Sequence, residues 1–208
     1  MFSFLLSNYI SLISLINPLG AIPVFLSLTN AHSKEWIKRQ VLKTSINVFF
    51  ICVISFLIGN YVLDFFGISI NALKIAGGII ISRSGFQLLN AKHKKDVGKK
   101  IKSEAVNKED ISFTPLAMPL LSGPGSISFL INLSIQNNYN LSGSFYSILS
   151  ILLVSASIFF ILLLAPKILS YMGEAGLKAL SKIMGFIVLS IGIQLIISSV
   201  ISVLLNLK

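Results

Sequence analysis

Six long apolar stretches, separated by short polar segments, constrain the fold of this 208-residue chain more than any other feature of its sequence. They lie near Phe4–Leu28, Ser45–Leu63, Ile68–Leu89, Phe113–Leu133, Phe145–Ala165 and Ile183–Leu205. A helix needs about 20 apolar residues to cross the hydrocarbon core of a bilayer, so each stretch can form one crossing. The stretches are continuously apolar rather than alternating, which disfavours a β-barrel. We therefore predict an all-α membrane protein with six transmembrane helices in one integral membrane domain, residues 1–208.

The composition argues against a water-soluble enzyme. Only 12% of the residues are charged, which is about half of the share in a typical soluble domain. The one cysteine, Cys52, lies inside an apolar stretch, so the sequence predicts neither an intramolecular disulfide nor a cysteine-based metal site. We expect the protein to need no cofactor and no metal ion.

The basic residues predict how the helices are oriented. Fourteen of the 17 lysines and arginines lie in the first, third and fifth loops, whereas the second and fourth loops contain none. Alternate loops share one side of the membrane, and the positive-inside rule places the basic side in the cytoplasm. We therefore expect a bacterial inner-membrane protein with periplasmic N- and C-termini and a cytoplasmic loop at 90–112. That loop lacks the interleaved aromatic residues that stack on bases, so we expect lipid rather than nucleic acid as its partner.

The first half of the chain, 1–89, resembles the second, 113–208. Seven residues of the third apolar stretch, Gly78 and Gly85 among them, recur at one constant distance further along the chain. Their identical counterparts lie in the sixth stretch or just before it. Glycines that recur at seven-residue intervals on one helix face are typical of close helix packing. Each half contains three crossings, an odd number, so the second half must be inverted relative to the first. Inverted three-helix repeats recur in secondary transporters.

Proline and glycine break the first apolar stretch of each half, at Asn17–Gly20 and at Gly123–Ser126. Proline removes a backbone donor and clashes with the preceding turn. Free backbone groups at membrane depth are tolerated only where protein or a water-lined cavity satisfies them. The N-terminus of a half-helix at that depth can hold an anionic group. The alternative is that these prolines only kink two helices for packing.

Polar residues near the breaks complete the predicted substrate-binding site. Arg83 is a functional candidate because charges inside the membrane are usually functional, and Gln87 lies one turn further along the same helix. The alternative for Arg83 is that its side chain reaches the cytoplasmic interface. The full predicted set is Asn17, Pro18, Gly20, Arg83, Gln87, Ser122, Gly123, Pro124, Gly125, Ser126 and Gln194.

The two broken segments also carry a family resemblance. Residues Ile16–Thr29 read INPLGAIPVFLSLT, and residues Thr114–Ile127 read TPLAMPLLSGPGSI. In this order they resemble the two signatures of the MarC-related family of bacterial integral membrane proteins, and the resemblance covers essentially the whole chain. It implies a six-span inner-membrane protein of a group that includes small neutral amino-acid transporters.

These observations together predict a secondary transporter for a small neutral or zwitterionic solute, with amino acids as the candidate class. No centre of an apolar stretch carries Asp or Glu, so a proton relay of buried carboxylates is not predicted. His32 and His93 lie in basic loops, away from the serines at the second break, and no H-E-x-x-H motif occurs, so we expect no enzymatic activity. The alternative function is that of a channel or a membrane subunit without transport of its own.

Overall fold

A computed structural model describes residues 2–30, 32–90, 110–136 and 141–205 of the chain. Within these ranges it contains seven helices and no strand, so the all-α prediction is confirmed there. An irregular segment, Ser112–Leu121, precedes the fifth helix and is called the double-proline segment because it contains Pro115 and Pro119. The helices are α1 (Phe2–Ile16), α2 (Pro18–Thr29), α3 (Lys34–Phe66), α4 (Ile70–Leu89), α5 (Pro124–Gln136), α6 (Leu141–Leu163) and α7 (Ala165–Leu205).

The helices identify a multi-pass membrane protein, but the predicted count of six crossings is not confirmed. Among the described residues, four helical stretches are long and apolar enough to cross a membrane: Ser3–Thr29, Lys34–Gly59, Leu141–Leu163 and Ala165–Leu205. The double-proline segment and α5 add a fifth candidate if the pair, which is bent by 70°, forms one span. The predicted third crossing forms α4, but this 20-residue helix is not among the candidates.

Two helices begin well before the apolar stretches that predicted them. Helix α3 starts at Lys34 rather than near the predicted boundary at Ser45, and α7 starts at Ala165 rather than near Ile183. The apolar pattern marks only the part of a helix inside hydrocarbon, whereas the helices continue through polar turns. The lysines between 92 and 108 that contributed most to the predicted orientation lie outside the described residues.

Two glycines with left-handed backbone angles divide the long helices. Gly67 lies between α3 and α4, and Gly173 interrupts α7; both have φ of 64°. A residue with a side chain costs roughly 1–2 kcal/mol in that conformation, so glycine is favoured. The two glycines are separated in sequence by the same interval as Pro18 and Pro124. Similar local structure therefore recurs at a spacing close to that of the sequence identities.

The main buried core lies between the first three helices, the double-proline segment, α5, α6 and the start of α7. Leu12, Ile22, Val41, Leu130 and Ile158 are fully buried in it. Large apolar side chains also cover the outside, as expected for a surface in contact with lipid acyl chains. The predicted partnership with a lipid bilayer is therefore supported.

Helix α4 packs most extensively against α7, and glycines allow their backbones to approach closely. A Cβ atom added at Gly85 would lie 2.8 Å from the carbonyl oxygen of Gly185. One added at Gly78 would lie 2.7 Å from the carbonyl oxygen of Gly192. These two close contacts pair residues in opposite order along the two helices, so α4 and α7 run antiparallel. These glycines occupy the close-packing positions that their seven-residue spacing predicts.

Candidate functional site

Asn17 ends α1 and begins α2 at the first helix break. Its backbone adopts left-handed angles (φ 45°, ψ 60°), and its N–H donates to the Ile13 carbonyl at 2.9 Å, which completes the last turn of α1. Its side-chain Oδ1 accepts a hydrogen bond from the Gly20 N–H at 3.1 Å. Pro18 has no N–H and therefore suits the first position of α2. An amide side chain thus caps a helix start that is buried in the protein.

The second break uses different groups to begin α5. The Ser122 N–H donates to the Ala117 carbonyl at 2.7 Å and closes the double-proline segment. The Gly123 carbonyl then accepts hydrogen bonds from the Ser126 hydroxyl at 2.9 Å and from the Ile127 N–H at 3.3 Å. The chain is bent by 70° between the double-proline segment and α5. A backbone carbonyl and a hydroxyl hold the first turn of α5 here.

The two breaks line one cavity of about 280 Å³. This volume equals that of roughly nine water molecules at about 30 Å³ each, which suits a small solute. None of the described residues that line the cavity is charged. Its polar lining comes from four side chains: Asn17, Ser84, Gln87 and Ser126. The other lining residues are Leu15, Ile16, Gly20, Ala21, Val24, Leu88, Pro119, Leu120, Leu121, Gly123, Pro124 and Gly125.

The cavity brings together seven of the eleven residues predicted for the site. They come from both breaks and from the end of α4, which are distant in sequence. A solute in the cavity would therefore touch both halves of the chain. That these residues bind a substrate remains a prediction. The seven are Asn17, Gly20, Gln87, Gly123, Pro124, Gly125 and Ser126.

The other four predicted residues do not line the cavity, and their places in the fold explain why. Pro18 is buried in the first turn of α2. Ser122 is fully buried and lies beside the thiol of Cys52 in α3. Arg83 and Gln194 are exposed on α4 and α7. The exposure of Arg83 fits the alternative that its side chain reaches the membrane interface.

Ser84 lines the cavity although the sequence analysis did not select it. It lies three residues before Gln87, so both side chains can share one helix face. Its hydroxyl donates to the Ile80 carbonyl at 3.0 Å. A Cβ atom added at Gly125 would lie 3.5 Å from the Ser84 Oγ, so α4 and α5 are close at this point. The i, i+3 spacing from Gln87 was the signal that could have identified Ser84.

The electrostatic character of the cavity comes from backbone dipoles and neutral side chains. The first turns of α2 and α5 both contribute to its lining. A helix N-terminus carries a partial positive charge and free N–H groups, which favour an anionic group. The Gln87 side chain offers an amide oxygen that can accept hydrogen bonds from an ammonium group. The arrangement can therefore hold a carboxylate and an amine without a full protein charge.

A separate polar cluster, away from the cavity, fixes the start of the double-proline segment to α3. The Lys43 ammonium pairs with the Asp110 carboxylate at 2.5 Å. The Ser112 hydroxyl and N–H donate to the other carboxylate oxygen at 2.6 and 2.9 Å. The Ile111 N–H donates to Gln40 Oε1 at 3.2 Å. The hydrogen bonds from Lys43 and Ser112 lower the pKa of Asp110 to about 2.

Comparison with known proteins identifies similar membrane proteins over almost the full chain. The family described as MarC family integral membrane protein matches residues 2–204. A UPF0056 membrane protein of Buchnera aphidicola subsp. Schizaphis graminum is 36% identical over 209 residues, covering 99% of this chain and 97% of the relative. One from Methanocaldococcus jannaschii is 34% identical, covering 91% and 92%, and the UPF0056 membrane protein YhcE of Escherichia coli K12 is 32% identical, covering 92% and 89%. No solved structure matches significantly.

Proposed function

This chain belongs to the MarC family of integral membrane proteins, and we propose that it is a secondary transporter of a small neutral or zwitterionic solute, with amino acids as the candidate class. Its membership confirms the resemblance predicted from the two motifs. The observation that carries the proposal is the uncharged cavity lined by the first turns of α2 and α5. Broken helices whose N-termini meet at a cavity are a common solute-binding arrangement in secondary transporters.

We also propose that the chain forms six crossings as two inverted three-helix repeats. Two structural landmarks support a common order of elements. Pro18 starts α2, and Pro124 starts α5 at the equivalent place in the second half. Gly67 follows α3 and Gly173 interrupts α7 at the same spacing, with the same φ. On this arrangement α4 corresponds to residues 174–205, and each would be the third crossing of its repeat.

The contacts between α4 and α7 support the same arrangement. In sequence, Gly78 corresponds to Gly185, and Gly85 corresponds to Gly192. In space, Gly78 approaches Gly192 and Gly85 approaches Gly185. Exchanging each residue for its counterpart maps each of these two contacts onto the other. A two-fold relation between antiparallel helices produces this pattern.

The orientation that we propose places both termini in the periplasm and the end of α4 near the cytoplasm of the bacterial inner membrane. Lys34, Lys38, Arg39 and Lys43 lie in the first three turns of α3, which would then begin at the cytoplasmic face. Gln87 lies in the last turn of α4, at the same side. The cavity would therefore open toward the cytoplasm in this conformation.

Counterflow of labelled neutral amino acids into proteoliposomes tests the proposal. A Cβ atom at Gly125 would make ordinary contacts with Ser84 and Ile81, so Gly125→Ala should retain transport. Gly125→Leu would fill part of the cavity. With solute present the leucine would overfill the cavity, which costs roughly 1–3 kcal/mol, so we expect counterflow to fall roughly fivefold to a hundredfold.

Gly176→Leu is the matched control, because Gly176 does not line the cavity and a Cβ atom there would contact only the Met172 side chain. It should fold and transport like the unsubstituted protein. An unfolding titration in detergent must show that Gly125→Leu is folded before the loss of its transport is attributed to the cavity. If the unsubstituted protein moves no member of a broad solute panel, transport is refuted and a membrane subunit without transport becomes the better function. If Gly125→Leu transports normally, the cavity is not the binding site.

A further inference from the structure

The two helix breaks correspond in sequence but differ in shape. Residues Ser3–Thr29 continue through Asn17 as one candidate span of 27 residues. The double-proline segment and α5 are instead bent by 70° at the second break. The same position of the two proposed repeats therefore adopts two conformations within one molecule.

The cavity follows this asymmetry. Gln87 and Leu88 of α4 line it, whereas their sequence counterparts on α7, Gln194 and Leu195, do not. Leu195 instead packs against Ile81 in a small buried cluster. The cavity thus uses both breaks but only one of the two helices that pack beside them.

Helices α4 and α7 pack closely as a pair. Glycines allow their backbones to approach closely at two contacts. In addition, α4 packs on α5, and α7 packs on α2. A tilt of the pair that separates α4 from the second break would bring α7, which already packs on α2, closer to both breaks. Such a motion would place the end of α7 rather than the end of α4 beside the breaks. The glycine contacts between the two helices would be preserved.

We infer that the protein has a second conformation in which Gln194 replaces Gln87 at the breaks and the cavity opens to the opposite side of the membrane. This inference rests on the proposed two-repeat arrangement. The same neutral amide would then meet the solute in both conformations, so neither conformation would introduce a full charge. Gln194 is therefore assigned to the binding site of the second conformation.

Accessibility of single cysteines from each side of sealed vesicles tests the inference. Cys52, the one native cysteine, is 2% exposed and is replaced in Cys52→Ala. Gln87→Cys and Gln194→Cys are added separately and treated with a membrane-impermeant thiol reagent. The matched controls are Phe86→Cys and Ile193→Cys, which precede the two glutamines, are exposed and correspond to each other in the two halves. All four positions are exposed, so cysteine should leave the packing intact.

We expect the two glutamine positions to react from opposite sides of the membrane. The thiolate is the reactive form and is disfavoured in lipid, so the control positions should react at least about tenfold more slowly. In a double variant, a bulky reagent attached at Gln87→Cys should hold the first conformation and slow labelling of Gln194→Cys about tenfold or more.

Two results would overturn the inference. In the first, Gln194→Cys reacts no faster than Ile193→Cys. In the second, the reagent attached at position 87 does not slow the labelling of Gln194→Cys. Labelling requires no transported solute, so the two proposals fail separately. A chain that shows reciprocal labelling but moves no tested solute supports the second conformation and counts against transport of that panel. A chain that transports while Gln194→Cys stays unreactive refutes the second conformation described here.

Discussion

Replacing Gly85 with alanine should separate α4 from α7, because the new methyl group has no space. Its Cβ would lie 2.6 Å from the backbone nitrogen of Leu189 and 2.8 Å from both the Leu189 Cα and the Gly185 carbonyl oxygen. All three atoms belong to the backbone of α7, so no side chain can rotate away. Because nonbonded carbon contacts are optimal near 3.5–4.0 Å, the helices would have to separate by roughly 1 Å.

The expected loss of stability combines two opposing effects. Overpacking of a close contact costs about 1–3 kcal/mol, and the upper end applies because only backbone can yield. A gap of about 1 Å also weakens neighbouring contacts by up to roughly half of their attraction. Alanine recovers about 1 kcal/mol because it is a better helix former than glycine. The net free energy of unfolding should therefore fall by about 2 kcal/mol.

Titration with a denaturing detergent, followed by circular dichroism, measures this difference. Gly176→Ala is the matched control, because its Cβ would lie 3.2 Å from the Met172 Cβ of the preceding turn and contact no other helix. It gains the same helix propensity against one tight side-chain contact, so its stability should change by less than about 1 kcal/mol. Gly78→Ala combined with Gly85→Ala should cost less than the sum, because one separation relieves both contacts.

Equal stability of Gly85→Ala and Gly176→Ala would refute the close approach of α4 and α7. The proposed two-fold relation between these helices would then lose its main support. A loss of stability at Gly85→Ala without any at its counterpart, Gly192→Ala, would refute a narrower point, namely that the two close contacts between the helices are equivalent.

Substitutions at two further positions test the first break and the polar cluster. Asn17→Ala should lower the free energy of unfolding by about 1 kcal/mol through the missing cap and by about 1 kcal/mol through the left-handed backbone. Asn17→Gly suits φ of 45° and should lower it by well under 1 kcal/mol in the same titration. Equal losses would contradict the role of Asn17 as a cap with left-handed backbone angles. Because the pKa of Asp110 is lowered from 3.8 to about 2, its pairing with Lys43 should stabilise the folded state above about pH 4 and lose that effect as the pH falls toward 2. The pair is half-exposed, so Asp110→Asn should cost less than about 1 kcal/mol at neutral pH, and a difference that persists at pH 2 would contradict the mechanism.

The backbone chemistry of the breaks could be predicted from the sequence. Proline removes a backbone donor and kinks or breaks a helix, so the breaks at Pro18 and Pro124 were predictable, although Pro23 lies inside α2. Gly20 and Ser126, each two residues after one of these prolines, line the cavity. That both breaks line one cavity is a tertiary fact, and only the apparent symmetry of the halves suggested it.

The side chains of α4 could not be assigned in the same way. Arg83 and Ser84 are adjacent, yet only Ser84 lines the cavity. Two neighbours decide which face of α4 is covered: α7 contacts it at Gly78 and Gly85, and α5 contacts it on the side of Ser84. Sequence alone favoured the charged residue because charges in a membrane are usually functional. The packing partners, which sequence does not reveal, leave that residue outside.

The first turns of α2 and α5 are held by different chemistry, and the difference bears on the proposed solute. At the first break an amide side chain satisfies the Gly20 N–H, whereas at the second the Ser126 hydroxyl bonds to the Gly123 carbonyl and leaves the early N–H groups of α5 without a side-chain cap from that serine. For the proposed solute, the start of α5 would therefore be the better place for a carboxylate, because the early N–H groups that this serine does not cap and the helix dipole act there together. An amine on the same solute would then face α4, where Gln87 and Ser84 offer oxygen atoms. A zwitterion fits this division of roles better than an anion, which would leave the α4 side of the cavity without a partner.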